Sequence, residues 1–136
     1  MTRIFADTSY WIAILNPRDP LHKKAVALSQ VHSGDQIVTT EMILTEFLNS
    51  FSNQGPFLRR AAGTFVEGLR QNPKVVIFSQ TSEQFEKALG RYLAMADKSW
   101  SLTDCASFLL MEAENIRAAL THDRHFVQAG FEAHLR

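Results

Sequence analysis

Five short apolar or β-branched runs, spaced by stretches of helical periodicity, constrain this chain more than any other feature. They cover residues 4–6, 36–40, 75–78, 118–120 and 131–135. Between the first four lie segments with apolar positions recurring every three or four residues: 10–15 and 21–31, then 41–51 and 57–71, then 81–96 and 102–114. A tight hairpin needs only two linking residues, whereas parallel strands need a crossover of a dozen or more, usually helical. The pattern therefore predicts an α/β protein, a three-layer α/β/α sandwich around a mostly parallel five-stranded sheet, in one domain spanning residues 1–136. Turn chemistry punctuates it at Asn16-Pro17-Arg18-Asp19-Pro20, Ser33-Gly34-Asp35, Ser52-Asn53-Gln54-Gly55-Pro56 and Asn72-Pro73. Val75, Val76, Ile77 and Phe78 form an unbroken apolar run, which predicts a strand covered on both faces.

Composition excludes several function classes. The chain is 46% hydrophobic and 21% charged, which fits a packed core and not a disordered tail. Its longest strongly apolar run, Tyr10 to Leu15, falls far short of the roughly 20 residues that cross a bilayer. No export-signal h-region precedes Asp7. A single cysteine, Cys105, cannot close an internal disulfide or build a cysteine zinc site, so a reducing cytoplasmic setting is expected. Fourteen basic residues balance fourteen acidic ones for a net charge of zero, so any polyanion must be met by local groups or metal ions.

In open α/β sheets ligands bind beyond the carboxyl ends of the strands. Asp7 and Asp123 both fall at or just past such an end, while Glu46 sits on the border of an apolar helical face and Asp104 lies in the first turn of an apolar helix. Each has a plainer reading. Asp7 can start a turn or cap a helix, Glu46 can be a solvated edge residue, Asp104 can form a capping box with Ser101, and Asp123 can make an Asx-turn. The helix carrying Asp104 sharpens the other reading, because Leu102, Cys105, Ala106, Phe108, Leu109, Leu110, Met111 and Ala113 spread around most of its circumference and predict burial. Carboxylates crowded in a partly buried cleft repel one another unless a cation joins them. Oxygen-only donors, with no cysteine or clustered histidine beside them, point to Mg²⁺ or Mn²⁺ rather than zinc.

Nearly the whole chain resembles the PIN-domain ribonuclease family, in particular the bacterial toxin type called VapC. Ile4-Phe5-Ala6-Asp7-Thr8-Ser9 is similar to the family's strand-end Asp followed by a hydroxyl residue, and Thr45-Glu46-Phe47 to its helical Glu. Asp97-Lys98-Ser99-Trp100-Ser101-Leu102-Thr103-Asp104-Cys105-Ala106-Ser107 resembles the third motif, and Ala119-Leu120-Thr121-His122-Asp123-Arg124-His125-Phe126 the fourth. The resemblance implies that Asp7, Glu46, Asp104 and Asp123 are catalytic and hold Mg²⁺ or Mn²⁺, with Thr8 or Ser9 supporting Asp7; Asp97 is similar to a further acid before the third motif and equally suits a helix-end cap. It also implies metal-dependent hydrolysis of RNA to 5'-phosphate and 3'-hydroxyl ends, as the toxin of a type II toxin-antitoxin pair.

Other residues have plainer expectations. His122 and His125 flank Asp123 at a spacing that invites a metal reading, but three apart in a turn they read first as surface groups; Cys105 reads as packing, and Tyr10 and Trp11 as core. Arg59, Arg60, Lys98 and Arg124 are candidate phosphate contacts that also suit a solvated surface. Leu44, Phe51 and Phe57 are expected to be exposed and to pair the protein with itself, as a homodimer, or with an antitoxin. The alternative class is an RNA-binding or phospho-switch module. A receiver-type switch fails on residues: Ser79-Gln80 follow Phe78 where a phosphorylatable Asp would stand, and Lys74 precedes its strand.

Overall fold

The computed structural model describes residues 2–136. The elements run β1 (Arg3–Ala6), α1 (Thr8–Leu15), α2 (His22–Val31), β2 (Gln36–Thr40), α3 (Glu41–Ser50), α4 (Pro56–Gln71), β3 (Val75–Phe78), α5 (Ser82–Ala94), α6 (Leu102–Ala113), β4 (Ala118–Leu120), α7 (Arg124–Gln128) and β5 (Glu132–Ala133). All five strands are parallel, in the order β3-β2-β1-β4-β5. From β1 the chain steps outward to β2 and β3, then returns across the sheet to place β4 on the other side of β1. Right-handed crossovers put α1 to α4 on one face and α5 to α7 on the other, giving the three layers.

Local chemistry starts and stops these elements. Thr40, Thr81 and Ser101 cap α3, α5 and α6 by accepting from the backbone N–H three residues on. Gly55, at φ +91°, makes the left-handed turn that a side chain would strain, and Pro56 opens α4 where no N–H is needed. The core has an aromatic cluster on each face of the sheet. On one, Trp11 and Phe47 pack against Phe65 with ring centroids 5.8 and 5.5 Å away. On the other, Phe108 meets Phe126 and Trp100 edge-on at 4.9 and 5.0 Å.

Four expectations need correcting. β3 is an edge strand in which all four residues are half-buried, so both faces are covered only in part and the outer edge is open. Leu44 and Phe51 are only 5% and 1% exposed, because α3 is wedged between α1 and α4, whereas Phe57 is 78% exposed as expected. The exposed apolar stripe that does exist lies on α5, at Phe85, Leu89, Tyr92 and Leu93. Finally, a short helix, α7, follows Asp123, and β5 is shorter than residues 131–135.

Candidate active site

The reversal of strand order beside β1 places the site. Phe5 and Ala6 stand opposite Ala119 and Leu120, so the next residue on each strand, Asp7 and Thr121, meet at the carboxyl edge where ligands of such sheets bind. Asp7 is 6% exposed, and its Oδ2 accepts from Thr121 Oγ1 at 2.9 Å and from Ser9 Oγ at 3.3 Å. It occupies the N-cap position of α1, but the cap is made by its backbone: Asp7 O accepts from Tyr10 and Trp11 N–H, and the side chain makes no cap bond. Its carboxyl pKa is raised to about 7, chiefly by burial, with the Thr121 hydroxyl and Thr8 N–H opposing the rise and the charges of Asp104 and Glu46 adding to it. Beside it, the Thr8 hydroxyl donates to Glu46 Oε1 from the exposed side of α3.

Asp104 and Asp123 build the other half. Ser101 Oγ accepts from Asp104 N, and Ser101 N donates to Asp104 Oδ2, both at 3.0 Å, so the capping box read from the sequence is present. That cap does not use up the carboxylate, whose Oδ2 also lies 2.9 Å from His125 Nδ1. Burial raises the Asp104 pKa, the Ser101 N–H and His125 lower it, and the Asp123 charge raises it. Asp123 caps α7 by accepting from His125 N at 2.9 Å, and its own N–H donates to Thr121 Oγ1 at 3.0 Å. Donor atoms of Asp104, Asp123 and His125 lie within 4.8 Å of one another, a set that can hold a divalent ion.

The cap and ligand readings of these acids are thus compatible. Asp97 is brought to none of them: its side chain is 73% exposed and faces Lys98 at 3.5 Å. Arg59, Arg60 and Arg124 are exposed, and His122 is exposed with its ring against Leu135 O. Cys105 is buried, and desolvation followed by the Asp104 charge pushes its thiol pKa up, as suits packing. Tyr10 and Trp11 are core, with the Trp11 indole donating to Thr39 Oγ1 at 3.3 Å.

Sequence reasoning passed over Thr121 and undervalued His125. Thr121 bridges the halves, donating to Asp7 and accepting from Asp123 N–H. Its signal was its place directly after a strand that returns beside β1. His125 departs from the expected surface role because α7 turns its ring back onto Asp104, and without that helix the spacing alone cannot show it.

The PIN domain family matches residues 4–132. The chain is 26% identical over 128 residues to the 23S rRNA-specific endonuclease VapC20 of Mycobacterium tuberculosis, in strain CDC 1551 / Oshkosh and equally in strain ATCC 25618 / H37Rv, covering 94% of this chain and 95% of that protein. The crystal structure of M. tuberculosis VapC20, described as a Sarcin-Ricin loop cleaving toxin, superposes with a TM-score of 0.83 at 26% identity over 94% of this chain and 95% of that one. Matched from its first strand to its last, with its acidic side chains gathered at the carboxyl edge of the sheet, the chain belongs to the PIN domain family.

Proposed function

We infer that this chain, as one domain over residues 1–136, is a metal-dependent ribonuclease and the toxin half of a type II toxin-antitoxin pair. The observation that carries the reading is the acidic crowding at the switch point: Asp104 and Asp123 present donor atoms within 4.8 Å, the charges of Asp104 and Glu46 act on Asp7, and both Asp7 and Asp104 are buried with raised pKa values. A module that only bound RNA would gain nothing from burying like charges, which costs several kcal/mol per unpaired ion. A divalent ion, Mg²⁺ or Mn²⁺, fits this oxygen-rich set, with Asp7, Glu46, Asp104 and Asp123 as its holders. When bound it supplies a water of lowered pKa and offsets charge on the phosphate and the leaving oxygen.

The chain's own groups do the positioning. Thr121 and Ser9 fix the Asp7 carboxylate, Ser101 fixes Asp104, and the His125 N–H fixes Asp123, so little reorganisation remains when RNA arrives. Glu46, held by Thr8 on the open side, borders the path of the RNA. The first substrate to test is 23S rRNA, on which VapC20 acts by name. No helix among the described residues is long and apolar enough to cross a membrane, and a cytoplasmic setting places the protein with ribosomes.

The test is cleavage of 23S rRNA by the purified chain with Mg²⁺ or Mn²⁺. Cleavage should stop in EDTA and in Asp7→Asn and Asp104→Asn variants that still fold. Undiminished cleavage in chelator or in both variants overturns the assignment. For partners, the exposed Phe57 and the α5 stripe are the surfaces a second copy or an antitoxin segment would cover. Light scattering at tens of micromolar should report a homodimer, and a monomer counts against self-association.

A further inference from the structure

His125 lies outside the four acids, yet its ring sits against two of them. Nδ1 is 2.9 Å from Asp104 Oδ2 and 3.4 Å from Asp123 Oδ1. Neighbouring ligands on a six-coordinate ion with bonds of about 2.1 Å lie about 3 Å apart, so these separations match the edges of a single coordination shell. The ring is oriented from its far side, where Nε2 lies 3.2 Å from Ser99 Oγ. A histidine ligand characteristically gives its other ring N–H to a second group, and the tautomer in which Nε2–H donates to Ser99 Oγ is the one that leaves the Nδ1 lone pair for an ion. Its backbone is fixed as well, since His125 N donates to Asp123 Oδ1. The neighbouring Asp104 is pinned by Ser101. All three donors are therefore set in place by contacts that do not depend on a cation.

We propose that His125 is itself a metal ligand, through Nδ1, alongside Asp104 and Asp123, so that the centre has a mixed nitrogen and oxygen donor set selecting Mn²⁺ and other first-row transition ions over Mg²⁺. The proposal rests on the metal-dependent reading above and refines it. An imidazole adds little to the binding of Mg²⁺, which favours oxygen ligands and keeps its waters, but strengthens binding of transition ions.

The experiment uses the full chain with Mn²⁺ as the only divalent ion, followed by pulsed electron paramagnetic resonance. The wild type should show ¹⁴N modulation from a directly bound imidazole. His125→Gln, with its fold checked by circular dichroism, should lose that modulation and bind Mn²⁺ about tenfold or more weakly. Mg²⁺ binding, read by displacement of Mn²⁺, should change less than about threefold. Bound Mn²⁺ without ¹⁴N modulation, or modulation that survives in His125→Gln, overturns the proposal and leaves metal-dependent cleavage standing. So does an equal loss of both ions in the variant. A wild type that binds no Mn²⁺ and cleaves RNA in chelator overturns the underlying reading as well.

Discussion

Asp7 and Asp104 are almost equally buried, at 6% and 8% exposed, but they are held by opposite means. Asp104 is fixed locally, by a backbone N–H three residues away in the first turn of its own helix, where the helix dipole also favours negative charge. Asp7 stands at a strand tip and takes its best hydrogen bond from Thr121, 114 residues away. One carboxylate is positioned by secondary structure and the other by topology. The local arrangement offers Asp104 a helix N-terminus and a histidine, while Asp7 receives two hydroxyls and faces two other acids.

The largest expected effect treats both halves alike. Asp7→Asn and Asp104→Asn should each lower metal-dependent cleavage at least about a hundredfold, the scale of losing a preorganised charge at a reacting centre. Single-turnover cleavage of labelled RNA measures it, and a large loss in only one variant would show that only one half of the site acts. Stability separates them next. Asp7 keeps its proton up to about pH 7 when folded and only to about 3.8 in the unfolded chain, so between those values the folded state binds the extra proton and stability falls as pH rises. The cost is complete above about pH 7 and gone below 3.8. Metal-free Asp7→Asn should therefore be more stable than wild type at pH 8 by up to about 4 kcal/mol, with the gain vanishing near pH 4. Asp104→Asn should gain less, because it also weakens the favourable charge at its helix end. Urea melts at both pH values measure this, and a pH-independent Asp7→Asn effect would refute the burial account.

The same contrast explains how much was legible in the sequence. The crossover spacing carried the α/β order, and the Ser101 to Asp104 capping box was readable because both partners lie within one turn. Asp7 and Asp123 could be named from their positions at strand tips, and all four acids from the family resemblance. Thr121 could not, since its role depends on β4 returning beside β1. His125 was hidden for a related reason: α7 is five residues long, too short for periodicity to reveal, yet it turns the ring inward. Burial of Leu44 and Phe51 was misjudged because α3 is covered on two sides, by α1 from the start of the chain and by α4 folding back after the next loop.

Breaking the non-local tie should therefore cost more than breaking the local one. Thr121→Val keeps the shape but removes the buried donor to Asp7 and the part-buried acceptor for Asp123 N–H, at about 1–3 kcal/mol. The loss should be larger at pH 8 than at pH 5, because the Thr121 bond favours the ionised carboxylate. Ser101→Ala should cost about 1 kcal/mol, the usual value of a lost cap, with little pH dependence. Thermal melts of the pair rank them, and a costlier Ser101→Ala would reverse the comparison.

The smallest effect belongs to Asp97, the acid that resembles part of the third motif without joining either half of the site. Its side chain is 73% exposed and, among the described residues, its ionic neighbour is Lys98, the next residue, at 3.5 Å. An exposed pair of this kind contributes about 0–1 kcal/mol, most of it screened by salt. Nothing ties Asp97 to Ser101 or Asp104, whose capping box closes without it. Asp97→Ala should leave stability within about 0.5 kcal/mol of wild type, and its cleavage rate should fall by no more than about twofold. The single-turnover assay used for Asp7→Asn checks it side by side. If Asp97→Ala instead approaches the Asp7→Asn loss, the loop before α6 closes over bound RNA and brings this carboxylate to the metal.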